Sequence, residues 1–299
     1  MRRAKQQAAP TKGGADAPLA PRTTSVKTGH GRRSLALPPV ARNGPPAPSL
    51  VLGLHGGNGT AHSFALRSGL TEASHAYGLD IAFPQARRHW SDGRPPLEDG
   101  WVADRDFIDE LRTRAGKALK RDAVPFAIIG SSNGGIFAQR YAAETSNPPT
   151  LTVAVASSFS EAVATRTQSG PPATMMLIQG SADAIIPWDG GDVLDIGGFT
   201  VKGRLLSVMD TVTFWKRRNG ITAAPRKKSY RLSGHVVRVS YWKAGPGGAD
   251  LWFVVIDGGS HRLLDSETAP HRPGSLADFI VRAAHWYLDP ARNTDSVRA

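Results

Sequence analysis

From residue 50 onward, the chain alternates short apolar runs with amphipathic stretches of helical length. Most of the apolar runs are continuous, as expected for strands buried on both faces. This alternation predicts an α/β fold with a mainly parallel central sheet and helices on both faces. The predicted strands are residues 50–54, 79–83, 126–129, 151–156, 175–178 and 251–256, and the predicted helices are residues 61–77, 105–120, 135–144, 211–219 and 276–288. Residues 228–232 and 236–242 flank a Ser-Gly-His turn and predict a β-hairpin inserted before the last strand.

The basic excess of the chain is concentrated near the N-terminus. The formal net charge is +12, yet residues 1–48 alone hold nine basic side chains against one acidic one. The first 32 residues are rich in Ala, Pro, Gly, Lys and Arg, a composition that cannot offset the entropy of ordering. We therefore predict a disordered basic arm over residues 1–32, one domain over 33–290 that starts with an edge strand at 34–40, and a flexible tail over 291–299.

The chain lacks cysteine and lacks any long apolar segment, and both absences restrict what it can be. The chain contains no cysteine, which excludes disulfides, thiolate nucleophiles and cysteine-ligated metal sites, so a covalent mechanism needs Ser, Thr, Lys or a carboxylate. No apolar run approaches the roughly 18 residues of a membrane-spanning helix, and the N-terminal residues lack the apolar segment of a secretory signal. The sequence alone therefore predicts no membrane span and a cytoplasmic protein, with the compartment otherwise open.

A G-x-S-x-G motif lies between a predicted strand and a predicted helix, where residues 130–134 read Gly-Ser-Ser-Asn-Gly. In a strand-turn-helix elbow of this kind, the glycines let neighbouring elements approach and the central serine hydroxyl projects above the sheet. Ser132 is thus the candidate nucleophile, and Ser131 its non-functional neighbour. A glycine-rich turn without chemistry is the alternative interpretation.

A serine nucleophile needs a base, and the base needs an orienting carboxylate. Asp183 follows the predicted strand 175–178, and His261 follows the strand 251–256. Both occupy loops after later strands, in the chain order Ser, acid, His. We therefore predict that Asp183 orients His261 and that His261 activates Ser132. The alternatives are Asp189 and Asp192 for the acid, and His235, His271 and His285 for the base. They are weaker candidates because the two aspartates lie farther from the end of the strand and none of the three histidines directly follows a predicted strand of the parallel sheet.

The tetrahedral intermediate of acyl transfer needs donors for its oxyanion. One is expected to be the backbone amide of Asn133, next to the nucleophile. The other is expected from the loop after the first predicted strand, which reads His-Gly-Gly-Asn-Gly-Thr at 55–60; Gly57 is the first choice and Asn58 the second. The same loop also fits a plain glycine turn, whereas a phosphate cradle would need a glycine-rich fingerprint that is absent.

Taken together, these motifs resemble the α/β-hydrolase superfamily, and more closely its polyhydroxybutyrate depolymerase-like, feruloyl and acetyl xylan esterases. The resemblance covers roughly residues 33–290. It rests on Leu-His-Gly-Gly at 54–57, Gly-Ser-Ser-Asn-Gly-Gly at 130–135, Gly-Ser-Ala-Asp at 180–183 and Asp-Gly-Gly-Ser-His at 257–261, with a supporting match in Asp-Arg-Asp-Phe-Ile at 104–108. It implies an α/β-hydrolase fold and a serine esterase acting through an acyl-enzyme, with no metal and no organic cofactor.

The chain departs from these relatives in two places. Many secreted members carry a cysteine where this chain has Gly57, together with stabilising disulfides. The segment after the catalytic histidine is often Thr-Trp-Pro in the family and is Arg-Leu-Leu at 262–264 here. That segment borders the predicted site, so polymer or feruloyl specificity is not carried over.

The expected partner is a small-molecule or polymeric ester. His55, Trp90 and Trp188 are the candidate substrate contacts, because all three lie in loops predicted to border the site. Two other functions remain open: a non-catalytic hydrolase-like binding domain, and a basic nucleic-acid-associated protein. No nucleic-acid partner is expected, because most of the positive charge lies in the predicted arm and no nucleic-acid-binding motif accompanies it.

Overall fold

The computed structural model describes residues 20–39, 48–95, 99–193, 203–232, 234–264 and 273–289. Twelve strands and seven helices are named within these ranges. The strands are β1 (Arg22–Thr28), β2 (Gly31–Leu37), β3 (Leu50–Leu54), β4 (Ile81–Pro84), β5 (Phe126–Ser131), β6 (Leu151–Val155), β7 (Met175–Gly180), β8 (Gly191–Asp192), β9 (Arg204–Leu205), β10 (Arg226–Leu232), β11 (His235–Trp242) and β12 (Leu251–Ile256). The helices are α1 (Ala61–Arg67), α2 (Leu70–Ala76), α3 (Trp101–Leu119), α4 (Asn133–Glu144), α5 (Glu161–Arg166), α6 (Val208–Arg218) and α7 (Leu276–Leu288).

A ten-stranded sheet organises the molecule, in the order β1-β2-β4-β3-β5-β6-β7-β12-β11-β10. The six central strands, from β4 to β12, run parallel to one another. Antiparallel pairs close both edges, with β1 and β2 at one side and the hairpin β10–β11 at the other. The predicted parallel sheet and the predicted hairpin before the last strand are therefore confirmed.

The continuous apolar strands are explained by burial on both faces of the sheet. Because side chains alternate across a strand, Ile129 and Ile178 face one side, whereas Ile128 and Leu177 face the other. Helices α1, α2 and α7 cover the first face, and α3, α4, α5 and α6 cover the second. Within the part of the chain that the structure describes, no helix combines the length and the apolar composition needed to cross a bilayer.

The predicted start of the domain is wrong. The sheet begins at Arg22 rather than near residue 33, so residues 22–32 belong to a β-hairpin and not to a disordered arm. An edge hairpin needs few apolar side chains, since its strands satisfy each other's backbone groups. Here Val26 packs into the core and Arg33 is buried against Asp104, with 2.8 Å between Nη2 and Oδ1. Residues 1–19 and 290–299 lie outside the described residues.

Two further differences concern helices. The predicted helix 61–77 is two helices, because Gly69 adopts a left-handed conformation (φ 70°) between α1 and α2. Only glycine takes this conformation at little cost. Helix α5 was not predicted, because its six residues are too few to show an amphipathic period.

The position of the N-terminal boundary is testable by truncation. A chain that begins at residue 33 loses β1 and exposes the core around Val26. We expect its free energy of unfolding to fall by about 2 kcal/mol, the contribution of one or two buried aliphatic side chains. A chain that begins at residue 20 is the matched control, and its free energy of unfolding is expected to equal that of the full-length protein. Urea unfolding measures both, and equal stability of the two truncated chains would contradict the assignment of β1 to the domain.

Candidate active site

Ser132 lies in the sharp turn between β5 and α4. Its backbone has φ 52° and ψ −122°, a conformation that L residues rarely adopt and that costs about 1–3 kcal/mol. A Cβ at Gly130 would lie 2.2 Å from the carbonyl oxygen of Gly134, and a Cβ at Gly134 would lie 2.5 Å from that of His55. Both positions therefore require glycine. This close packing accounts for the spacing of the G-x-S-x-G motif.

The structure brings the three predicted triad residues together at the carboxyl edge of the sheet. Ser132 follows β5, Asp183 follows β7 and His261 follows β12. The Nε2 atom of His261 lies 3.0 Å from Ser132 Oγ, and its Nδ1 atom lies 2.9 Å from Asp183 Oδ2. The side chain of Asp183 is 2% exposed and that of His261 is 15% exposed. These contacts form one continuous chain of hydrogen bonds that is open to solvent at its serine end.

Asp183 is held as a carboxylate. Burial alone would raise its pKa, but hydrogen bonds from His261 and from the backbone amides of Ile186 and Ile185 outweigh burial and lower the pKa below its ordinary value. The amides donate to Oδ1 at 3.0 and 2.9 Å, and Gln179 Nε2 donates to Oδ2 at 3.2 Å. An anionic Asp183 favours the tautomer in which His261 carries its proton on Nδ1. The lone pair of Nε2 then faces the hydroxyl of Ser132.

The glycine loop after β3 lies directly against Ser132. A Cβ at Gly56 would be 3.3 Å from Ser132 Cβ, and a Cβ at Gly57 would be 3.8 Å from Asn133 Cβ. The two residues predicted for the oxyanion hole, Gly57 and Asn133, are therefore neighbours beside Ser132. Asn58, the second choice, has a positive φ of 58° in the same loop.

His55 is hydrogen-bonded to this glycine loop. Its side chain is buried, and its Nδ1 atom donates to the carbonyl oxygen of Gly56 at 2.8 Å. Its Nε2 atom accepts from the backbone amide of Ala86 at 3.1 Å. Burial lowers the pKa of His55, which keeps the ring neutral as this pair of contacts requires. Both ring nitrogens are thus used by the protein, so His55 holds the loop in place. His55 also lines the cavity described below, and its role as a substrate contact stays a prediction.

The two predicted tryptophan contacts lie elsewhere. Trp90 is 0% exposed and stacks on Phe137 with ring centroids 5.0 Å apart, so it belongs to the core. Trp188 is half-buried and packs towards Phe253, at 6.4 Å between ring centroids, outside the lining of the cavity described next. Loop position was a poor guide for both, because either loop folds its tryptophan back onto a helix-covered face of the sheet.

A cavity of about 400 Å³ opens beside Ser132 and His261. Helix α1 forms one wall through Ser63, Phe64 and Arg67. The remaining lining includes the glycine loop 55–60, Ile185, Arg262 and Leu264. Among the described residues of this lining, the fixed charges are the two arginines. The sequence predicted a helix over these residues but not that Arg67 lines the site, because nothing in the local sequence shows that this helix end lies beside Ser132.

The alternative acids and bases that the structure describes are placed away from Ser132. Asp189 is exposed in the loop beyond Asp183, and Asp192 is exposed at the end of β8. His235 bonds through Nδ1 to the carbonyl oxygen of Asp257, and the ring of His285 lies 5.6 Å from that of Tyr77. His271 lies outside the described residues. Across the described ranges, histidines and carboxylates nowhere form a group of three that could hold a metal ion.

Comparison with known proteins agrees with this architecture. No family model matches the chain. It is 28% identical over 235 residues to a protein of Nocardia uniformis subsp. tsuyamanensis named "Putative esterase NocK", over 75% of this chain and 67% of that protein. Among solved structures, it superposes on an acetyl xylan esterase from Aspergillus awamori with a TM-score of 0.56 and 14% identity, over 89% of this chain and 98% of that one.

A further solved structure extends the comparison. An S-formylglutathione hydrolase from Agrobacterium tumefaciens superposes with a TM-score of 0.52 and 13% identity, over 89% of this chain and 95% of that one. Identities this low establish the fold alone. The chain therefore has the α/β-hydrolase fold.

The lowered pKa of Asp183 predicts a specific pH dependence of stability. A carboxyl whose pKa is lower in the folded protein stabilises the fold above its unfolded pKa, about 3.8, and this stabilisation is lost as pH falls through the folded pKa. We expect Asp183→Asn to be less stable than the wild type at pH 5, and the difference to shrink below pH 4. Urea unfolding across this range measures the difference. Asp189→Asn, in the same loop but exposed, should follow the wild type; a difference for Asp183→Asn that is independent of pH would contradict the assignment.

Proposed function

We propose that the protein is a serine carboxylic-ester hydrolase that acts through an acyl-enzyme. The observation that carries the proposal is the unbroken hydrogen-bonded chain from Ser132 through His261 to Asp183, at 3.0 and 2.9 Å. In this proposal Ser132 is the nucleophile, His261 is the general base and then the general acid, and Asp183 orients the imidazole.

Acylation begins when Ser132 Oγ attacks the ester carbonyl carbon while His261 Nε2 takes the hydroxyl proton. The resulting imidazolium is stabilised by the anionic Asp183 at Nδ1. When the tetrahedral intermediate collapses, the bond to the alcohol oxygen breaks and His261 returns the proton to the leaving alcohol. Water then repeats the sequence on the acyl-enzyme, releasing the carboxylic acid and restoring the serine.

The oxyanion would be bound by the backbone amides of Gly57 and Asn133. This assignment is supported by the nearness of Gly57 to Asn133, since a Cβ at residue 57 would lie 3.8 Å from Asn133 Cβ, and by the position of Asn133 at the first turn of α4. The N-terminal end of a helix favours negative charge. One such donor contributes about 10²- to 10³-fold to the rate.

The substrate class is proposed from the size and openness of the site. A cavity of about 400 Å³ suits an acetyl or other short acyl group with part of the alcohol. We therefore propose acetyl-esterase-like specificity, with feruloyl-esterase-like and polyhydroxybutyrate depolymerase-like activity as the alternatives. Turnover of acetyl, feruloyl and 3-hydroxybutyryl esters by the same preparation separates the three. A non-catalytic binding domain is less well supported, because such a domain has no need of an intact triad.

Replacing the nucleophile tests the proposed reaction. Ser132→Ala is expected to lower kcat for a short-chain 4-nitrophenyl ester by at least about 10³-fold, because no other hydroxyl contacts His261 Nε2 in the described part of the chain. A fluorophosphonate probe should label Ser132 in the wild type and in Ser131→Ala, the neighbouring control, but not in Ser132→Ala. Retained turnover by folded Ser132→Ala, or a label at another residue, would contradict the proposal.

The charge of the cavity lining predicts a preference between isosteric esters. Acetylcholine and 3,3-dimethylbutyl acetate differ in one atom, a cationic nitrogen or a neutral carbon. Because Arg67 and Arg262 line the cavity, we expect kcat/KM to be about 5-fold higher for the neutral ester at low salt, which corresponds to about 1 kcal/mol of repulsion.

The preference should weaken with salt, because the two arginines are exposed and exposed charges are screened. Arg67→Gln and Arg262→Gln should bring the ratio closer to one. Equal turnover of both esters by the wild type at low salt would show that the arginines do not act on the bound substrate.

A further inference from the structure

The side chain of Asn133 forms three hydrogen bonds with one loop. Its Oδ1 atom accepts from the backbone amide of Trp90 at 2.8 Å, and its Nδ2 atom donates to the carbonyl oxygen of Trp90 at 3.0 Å. Nδ2 also donates to Asp92 Oδ2 at 2.9 Å. The residue is 6% exposed. Its side-chain amide thus pairs with both backbone groups of Trp90 and with a carboxylate, while its backbone amide starts the nucleophile helix.

The same loop, residues 90–94, follows one face of α4 for two turns. Asn133, Phe137 and Arg140 lie at i, i+4 and i+7, which places them on one side of the helix. Phe137 carries the stacked ring of Trp90, and Arg140 Nη1 donates to the carbonyl oxygen of Ser91 at 3.0 Å. The 90–94 loop therefore holds the first turns of α4 at three consecutive points.

Two buried carboxylates hold the loop itself. Asp92 is 0% exposed and is paired with Arg94, whose Nη2 lies 2.6 Å from Asp92 Oδ2. The amide and hydroxyl of Ser91 both donate to Asp104 Oδ2 at 2.9 Å. Asp104 is in turn paired with Arg33 of β2. A buried ion pair is costly to form and costly to break on one side. The loop contains one such pair and is hydrogen-bonded through Ser91 to the carboxylate of a second, so its position is strongly restricted.

We propose that Asp92 and the side chain of Asn133 are positioning groups for the oxyanion hole. This inference rests on the proposed ester hydrolysis, in which the backbone amide of Asn133 contacts the oxyanion. Asp92 orients the Asn133 carboxamide, and the carboxamide fixes the plane of the peptide that follows Ser132. Hydrogen-bond donors act on a developing oxyanion only when they are placed in advance. The pairing of Asn133 to Trp90 and Asp92 supplies that placement from outside the helix.

Comparison of Asn133→Ala with the wild type tests this inference. We expect kcat for a short-chain ester to fall about 10- to 100-fold while KM stays within about threefold, because the interaction is made mainly in the transition state. A trifluoromethyl ketone adds to the serine and places an oxyanion in the same hole, so its inhibition constant should rise by the same factor as kcat falls. Ile280→Val, a buried change in α7 on the opposite face of the sheet, controls for a general loss of stability.

A second variant, the isosteric Asp92→Asn, tests the pair even if Asn133→Ala does not fold. It is expected to lower kcat about 3- to 10-fold. If Asp92 acts through Asn133, the double variant should be no slower than Asn133→Ala, whereas independent structural effects would multiply.

Three results would overturn the inference: unchanged kcat and ketone affinity in either folded single variant, a rise in KM alone, or multiplicative losses in the double variant. A wild type that neither hydrolyses esters nor accepts a fluorophosphonate label on Ser132 would instead overturn the proposed function. The two failures are therefore distinguishable.

Discussion

The strained turn at Ser132 is the constraint on which the site depends. Its positive φ is maintained because the amide of Ser132 donates to Val155 O at 2.9 Å, while its carbonyl oxygen accepts from the amides of Gly135 and Ile136 at 2.8 and 2.9 Å. The backbone of α4 also approaches that of β3 so closely that residue 134 has no room for a side chain. Strand, turn and helix are therefore held together, and the backbone at Ser132 is fixed in the conformation that presents its side chain to His261.

The parallel sheet converts separation in sequence into proximity in space. Ser132 and Asp183 precede His261 by 129 and 78 residues in the sequence. Each of the three nevertheless follows a strand whose carboxyl end lies on the same edge of the sheet. Parallel strands β5, β6, β7 and β12 are consecutive neighbours in the sheet. The hydrogen-bonded chain of these three residues thus needs no unusual backbone beyond the turn at Ser132, because the strand order already places the three loops side by side.

The turn at Ser132 and the positions of Asp183 and His261 could be predicted from the sequence, because each is marked by residues that lie close together in the chain. The glycines at 130 and 134 report a close backbone approach, and Asp183 and His261 each follow an apolar run of strand length. Strand β1 was missed because it is polar apart from Val26 and is held mainly by backbone pairing with β2. The edge strand predicted at 34–40 corresponds to β2, which the structure places at 31–37. Trp90 was misplaced for a related reason: a loop residue can lie in the core when a distant helix offers Phe137 for stacking.

The sequence by itself determined the fold class, the parallel sheet and the identity of the three residues that form the hydrogen-bonded chain. The alternation of apolar runs with amphipathic stretches, the spacing of the glycines around Ser132 and the order Ser, acid, His along the sequence carry that information. None of these patterns requires knowledge of which distant residues pack together. Only the tertiary structure decided what surrounds these three residues. Arg67 lines the cavity from α1, and His55 hydrogen-bonds to the glycine loop. Asp92, 41 residues earlier in the sequence, accepts a hydrogen bond from the side chain of Asn133. Such contacts depend on how helices and loops pack across the sheet, and no local pattern of residues encodes that packing.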